Sequence, residues 1–239
     1  MRMLNLTLPT PEENLALDEA LLEEAEDGDE PREVLRLWES PQPFVVLGRS
    51  SQAAIEVNLS YCHERGIPVL RRASGGAAVV VAPGSLMYAV VLSYELRPAL
   101  HALDEAHRFV LGTTLAGLRL LVPLAAHQGT SDLALGAYKF SGNSVRCKRR
   151  HMLYHGTLLY ACDLTLIDEC LAMPPRQPEY RQNRPHSTFV ANLPADAAAL
   201  REALVTAWQA NPTDHDWPRQ RTRELVATRY SRAEWNLQR

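Results

Sequence analysis

Two arginines lead into a serine–glycine–glycine turn at Arg71-Arg72-Ala73-Ser74-Gly75-Gly76. The apolar runs Val69-Leu70 and Val79-Val80-Val81 flank it. A guanidinium is a planar fork matched to phosphate or carboxylate, and glycine lets a backbone approach a ligand closely. An anion site on a sheet is one reading. An ordinary hairpin turn with two solvated arginines at its mouth is the other, and by itself the segment favours it. A second segment shifts the balance. Lys139 stands between Tyr138 and Phe140, just ahead of Ser141-Gly142, in a chain with two lysines, Lys139 and Lys148, among 25 basic residues. A compact ammonium with rotatable donors does a different job from a guanidinium. That favours a ligand-facing Lys139 over an edge-strand lysine that blocks aggregation.

Taken in order, RRASGGAAV at 71–79, YKFSGNSVR at 138–146 and HGTLL at 155–159 resemble the lipoate–protein ligase family, within the wider group of biotin–protein ligases and octanoyl transferases. Fainter echoes are NLALDEALL at 14–22, FVVLGRSSQ at 44–52 and ANL at 191–193. The resemblance implies an α+β fold, a mixed or antiparallel β-sheet core flanked by helices. It also implies a reaction in two halves. Lipoate or octanoate and ATP, with Mg²⁺ bound to the substrate, give an acyl-adenylate; the acyl group then passes to a lysine of a lipoyl-carrier domain.

In that scheme Lys139 is the catalytic residue, placed between the acyl carbonyl and the α-phosphate to stabilise charge as the carbonyl is attacked. Arg71 forks onto carboxylate or phosphate, and Ser74, Gly75, Gly76, Ala77, Ala78 and Val79 supply backbone donors and a close wall. Asp132 contacts Mg²⁺ or the adenine side, or caps its turn. His155 orients a carbonyl, takes a proton from the incoming amine, or is a structural strand histidine. Val45, Leu47, Val79 and Leu158 are candidates for an acyl slot, or simply core. Arg49 is a wall residue or a surface one. The sequence departs from the family at three ligand-side positions: Ala77 replaces a third glycine, Ser85 an asparagine of the following turn, and Ser131 the asparagine before Asp132.

Two rival functions stay open. A thioester transferase needs an exposed, low-pKa cysteine; Cys170 is its candidate, with a buried thiol as the ordinary reading. A non-catalytic scaffold would bind acyl ligand or carrier without turnover. The Gly-Arg-Gly-Arg type pattern of biotin–protein ligases is absent. Family members often continue into an accessory domain beyond a segment like Tyr230-Ser231-Arg232-Ala233-Glu234-Trp235-Asn236. The expectation here is a single catalytic domain over 1–239, with a separate accessory protein as one way to replace that extension. The Arg-rich segment from Arg176 to Arg184 is expected to help dock an acidic carrier.

Bulk composition narrows the field. Apolar residues make up 46% and charged residues 22%, ordinary for a globular chain. A net charge of −3 offers no field for nucleic acid or anionic membrane. No run approaches the length of a membrane span, and Met1-Arg2-Met3-Leu4-Asn5 lacks a signal-peptide core. Cys62, Cys147, Cys162 and Cys170 have no C-x-x-C spacing, so they read as reduced thiols of a cytoplasmic protein. No structural metal is expected.

The elements that must carry these segments follow. Thr10-Pro11-Glu12-Glu13 starts a helix to about Glu26. Val34–Trp38 and Phe44–Gly48 read as strands, and Asn58–Arg65 as a short helix closed by Gly66. Leu86–Tyr94 is a strand, Ala102–Leu121 a helix, and Leu133–Tyr160 a run of short strands. Asp163 caps a helix to Leu171. Pro174 to about Ser187 lacks periodicity and reads as a mobile loop that orders over ligand. Ala195–Ala210 and Arg219–Tyr230 are the last helices.

Overall fold

Thr10 starts the first long helix as its neighbours dictate. Its Oγ1 accepts from the Glu13 N–H, and the Glu13 carboxylate accepts the Thr10 N–H, a reciprocal cap. Pro11 occupies the first position, where no donor is needed. Helix α1 (Pro11–Asp27) buries Leu15, Ala16, Leu17, Ala20, Leu21 and Leu22, and also two acids, Asp18 and Glu19. The computed structural model describes residues 1–212 and 216–238. Arg239, the end of the domain expected over 1–239, lies outside the described residues.

Eleven strands among the described residues form two sheets: β1 (Arg2–Asn5), β2 (Val34–Glu39), β3 (Phe44–Leu47), β4 (Val69–Arg71), β5 (Val79–Val81), β6 (Ser85–Ser93), β7 (Ala125–Gln128), β8 (Asp132–Leu135), β9 (Tyr138–Cys147), β10 (His151–Leu159) and β11 (Asn211–Pro212). The large sheet has the order β11-β1-β2-β6-β10-β9-β8-β7 and the small one β4-β3-β5. Both are mixed: β1 runs parallel to β2, and β3 parallel to β4, while β2, β6, β10 and β9 alternate antiparallel. The expected α+β class with a mixed sheet core is what the chain adopts. The stretch read as short strands resolves into β8 and two long strands, β9 and β10, of ten and nine residues.

The flanking helices are α2 (Ala53–Glu56), α3 (Leu59–Glu64), α4 (Leu103–Leu118), α5 (Thr165–Cys170), α6 (His186–Phe189), α7 (Ala197–Ala207), α8 (Arg219–Leu225) and α9 (Ala233–Asn236). Asn58 caps α3 through Oδ1, which accepts from the Tyr61 N–H at 3.2 Å. The helix expected over Ala195–Ala210 starts at Ala197, with Asp196 as its N-cap accepting from the Ala199 N–H, and ends at Ala207. The helix expected over Arg219–Tyr230 begins as α8 and changes hydrogen-bond spacing, with a wide turn over Val226–Tyr230. The stretch after Pro174 is irregular as read, yet densely bonded: a short turn at Glu179–Arg181, left-handed Gln182 and Asn183, then α6. Among the described residues no helix is long and apolar enough to cross a membrane.

Candidate functional site

A cavity of about 450 Å³ lies between the small sheet, the face of β9 and β10, and the start of α1. Gly76, Ala77, Ala78 and Val79 line it from one side; Lys139, Ser141, Asn143, His155 and Thr157 line it from the other. The two motif segments, some seventy residues apart in sequence, therefore meet across one space. Ser131, Asp132, Lys139 and Gln177 are among its polar lining. Leu15, Val46, Val80, Met87, Leu159, Ile167 and Leu171 supply apolar wall.

Lys139 reaches the cavity through a defect in strand pairing. β8 and β9 slip register, so that Leu133 faces Ser141 while Ala134 faces Lys139. A bulge of this kind re-aims a side chain. Here Phe140 goes into the core, and the Lys139 ammonium meets Asp132 Oδ1 at 2.7 Å. Gly142 leaves room for this path: a Cβ there would stand 3.1 Å from both Cε and Nζ of Lys139. Tyr180 donates to the other carboxylate oxygen of Asp132 at 2.9 Å, so one acid holds both the lysine and the segment after Pro174. Burial, then the charge of Asp132, raises the Tyr180 phenol well above its ordinary value.

The glycine turn is held by its carbonyls. Gly75 O accepts from Arg72 and, at 2.8 Å, from Ser144 Oγ; Gly76 O accepts from Ser51 Oγ at 3.2 Å; Ala77 O accepts from Arg72 Nη2 at 3.1 Å. Among the described residues no acceptor takes the N–H groups of Gly76 or Ala77, which sit on the exposed cavity wall. Successive amides of this kind make an anion-binding concavity. The Ala78 N–H instead donates to Glu56 Oε2 at 2.8 Å. Ala77 keeps a negative φ, so the methyl that replaces a glycine costs no backbone strain.

The two arginines divide their work differently from the sequence expectation. Arg71 is fully buried and does not line the cavity. Each nitrogen of its guanidinium donates to main-chain carbonyls, those of Gly48, Arg49, Ser51, Trp235 and Gln238. It is placed as a buried cation behind the wall, off the cavity where the fork onto carboxylate or phosphate was expected. Arg72 lines the cavity and shapes the turn. Burial pulls its guanidinium down to about 10; the Glu56 carboxylate opposes that, and Arg71 adds to it. Strand parity decides between the two, and β4 is too short and too buried for the sequence to reveal it.

Of the acyl-slot candidates, Val79 lines the cavity, whereas Val45, Leu47 and Leu158 do not; Val46 and Leu159, next to them in the chain, take places on the wall, as does Val80. Runs buried on both faces carry no alternation from which to read the facing side. Ser85 is fully buried at the head of β6 and stands off the cavity. Ser74 and Gly75 lie behind the wall and position it.

His155 links the turn to α1. Its Nε2 lies 2.5 Å from Ser74 Oγ, and its Nδ1 lies 3.4 Å from Asp18 Oδ2. Asp18 is ion-paired to the fully buried Arg36 at 2.5 Å. Burial alone raises the Asp18 pKa, but Arg36 and His155 outweigh it and hold the carboxyl below the usual range. Arg72 Nε donates to the same Ser74 oxygen at 3.1 Å, so the histidine, the serine and the arginine meet behind the turn. Asp18, Arg72, Glu56 and Asn143 are site residues the sequence reading missed. Adjacent residues carried the signal for three of them: Arg72 beside Arg71, Asn143 in the lysine motif, Asp18 in the NLALDEALL echo.

Asn143 and Gly156 explain each other. Asn143 Nδ2 donates to Ser131 O at 2.8 Å and to Ser141 Oγ at 3.0 Å, and its Oδ1 accepts from Tyr88. Gly156 pairs with it across β9 and β10, and a Cβ there would fall 1.8 Å from Asn143 Oδ1. Arg181 and Arg184, expected on a docking surface, bond to backbone carbonyls and stack over Phe189; Arg176 stays exposed. None of the four cysteines lines the cavity. Burial pushes the Cys170 thiol up to about 12, and it is fully enclosed. Among the described residues no group of three His, Cys, Asp or Glu is placed to hold a metal.

Residues 10–209 match the family profile described as the lipoyl protein ligase A/B catalytic domain. A protein of Aeropyrum pernix named as a lipoate-protein ligase A is 33% identical over 209 residues, covering 87% of this chain and 74% of that one. Octanoyltransferase LipM of Brevibacillus brevis is 26% identical, covering 96% of each chain. The chain spans about half the length of the ligases it matches from Mycoplasma pneumoniae and Bacillus subtilis, 49% and 54%. Among solved structures, a bi-partite lipoate protein ligase of Thermoplasma acidophilum, studied with its E2 lipoyl domain, superposes with a TM-score of 0.83 at 25% identity, covering 100% of this chain and 97% of that one. A lipoate-protein ligase A bound with ATP superposes with a TM-score of 0.80 at 25% identity, covering 99% and 98%.

Proposed function

Because the chain belongs to the lipoyl protein ligase A/B catalytic family, we propose that it activates lipoate or octanoate with Mg·ATP to an acyl-adenylate and transfers the acyl group to a lysine of a lipoyl-carrier domain. One observation carries the reading: a lysine ammonium faces unpaired glycine-turn amides across a cavity that also has apolar wall. Adenylation brings a carboxylate onto a phosphate and needs positive charge where their oxygens meet. The Lys139 ammonium and the Gly76 and Ala77 amides supply it. Phosphate competes with Asp132 for Lys139, and Asp132 is then free to hold Mg²⁺. The apolar wall takes the hydrocarbon chain. No enzyme nucleophile is needed, because the adenylate is already activated. The attacking amine comes from the carrier.

A structure neighbour bound with ATP supports the nucleotide. The bi-partite neighbour with its lipoyl domain supports the carrier, and a separate accessory protein as a second partner of this single catalytic domain. The free thiols fit the reducing, cytoplasmic setting that belongs to the same proposal. Transfer through a cysteine thioester has a relative of matching length behind it. Against it stand a cavity wall without a thiol and the enclosed, high-pKa Cys170.

The test is to incubate the chain with lipoate, Mg·ATP and an apo lipoyl domain, and to weigh the domain. One added lipoyl group is expected, lost without ATP. Lys139→Ala is expected to slow transfer about 10²–10³-fold, the usual cost of one charged donor at a developing oxyanion. ATP-independent transfer from an acylated carrier, insensitive to Lys139→Ala, would overturn the proposal.

A further inference from the structure

We infer that Arg71 is a positioning residue that transmits the packing of the segment 230–238 to the glycine turn on the cavity wall. One set of its contacts reaches that segment. Arg71 Nε donates to Trp235 O at 3.0 Å, Nη2 to Gln238 O at 2.7 Å, and the backbone N–H to Asn236 Oδ1 at 3.0 Å; Trp235 Nε1 donates back to Arg71 O at 2.9 Å. A second set reaches the loop after β3, through Nη1 to Gly48 O at 2.7 Å and to Ser51 O at 2.8 Å.

That loop grips the glycine turn directly. The Arg49 N–H donates to Ser74 O at 2.8 Å, and Ser51 Oγ donates to Gly76 O. Gly48 lies so close that a Cβ on it would stand 1.8 Å from Gly76 O. The path runs from α9 through one buried cation and one loop to the wall that carries the unpaired amides. A guanidinium is rigid, so its fork fixes the spacing between its two sets of acceptors. Losing acceptors is costly for a buried charge, so a guanidinium that loses one set shifts toward the acceptors it keeps. Displacing 230–238 therefore displaces 48–51, and with it Gly76. Lys139 is off this path, so the effect falls on ligand affinity more than on the chemical step.

The inference is tested by hydrogen exchange on the whole chain without substrate, so its outcome is independent of the ligase reading. Trp235→Phe removes the indole donor to Arg71 O from a half-buried ring and is expected to fold. Asn236→Ala and Arg71→Lys are graded companions. Exchange is expected to rise about tenfold, the worth of roughly one hydrogen bond, in 47–52 and 72–79 as well as in 230–238. The amides of β1 and β2 are expected to hold at wild-type rates. In the transfer assay KM for the acid rises while kcat holds. Faster exchange confined to 230–238 would overturn the inference, and so would a uniform rise across both sheets, which marks a merely structural residue.

Discussion

Asp18→Asn tests the buried relay behind the turn. Asp18 is 2% exposed and Arg36 is 0% exposed, with 2.5 Å between Oδ1 and Nη1. At an effective dielectric constant of about 20 the gross attraction is roughly 7 kcal/mol, most of it offset by the desolvation of both ions. Asparagine keeps the shape and removes the charge. Arg36 retains Leu6 O, Asn14 O and Asn14 Oδ1 as acceptors, so it stays hydrogen-bonded but uncompensated. Breaking one half of a buried pair costs about 3–5 kcal/mol. At roughly 2 °C per kcal/mol for a chain of this length, Tm falls by about 6–10 °C at pH 7. The pH dependence carries a sign. Asp18 is depressed in the folded state, so its contribution is complete above the unfolded value, near 3.8, and disappears as pH falls through the lower folded value. The gap in Tm between wild type and Asp18→Asn is therefore flat from pH 7 to about 5 and closes in stronger acid. Thermal melts followed by circular dichroism read both. A gap under about 2 °C at pH 7, or one that widens on acidification, would refute the reasoning.

Two further outcomes concern the motif glycine and the thiol. Gly156→Ala drives a methyl into Asn143 Oδ1 and is expected to cost at least about 2 kcal/mol in urea unfolding; Asn143→Ala in the same chain should recover part of it, and no recovery would break the pairing argument. Cys170→Ala is expected to keep the transfer rate within about twofold while costing roughly 1 kcal/mol for the void left behind; loss of transfer in a folded variant would revive the thioester route.

Much of the architecture was legible because its signals are local. The Thr10–Glu13 cap, the Asn58 cap and the β-branched runs of β3 and β5 each determine their own segment. Lys139 was legible through scarcity: a lysine kept in an arginine-using chain, beside a glycine that proves to make its path. Facing side was not legible. β3, β4 and β10 are buried on both faces, so Arg71 and Arg72, or Val45 and Val46, look alike until the sheets are stacked. Asp18 was hidden for a related reason. On an amphipathic helix an acid reads as solvated, and only Arg36 from β2, eighteen residues on, explains its burial. The partners that hold Arg181 and Arg184, the Phe189 ring and main-chain carbonyls, were likewise invisible in the string.

The Arg71 contacts also bear on the order in which the molecule is made. Synthesis proceeds from the N-terminus and folding follows it. β3, β4 and the glycine turn leave the ribosome more than 150 residues before Trp235, Asn236 and Gln238. Until those residues arrive, the guanidinium between β4 and the loop after β3 lacks acceptors that the folded chain gives it. The closure that supplies them spans 164–167 positions, a long and therefore slow loop to form. An emerging chain can pair its central strands early, but the wall of the cavity settles among the last events of folding.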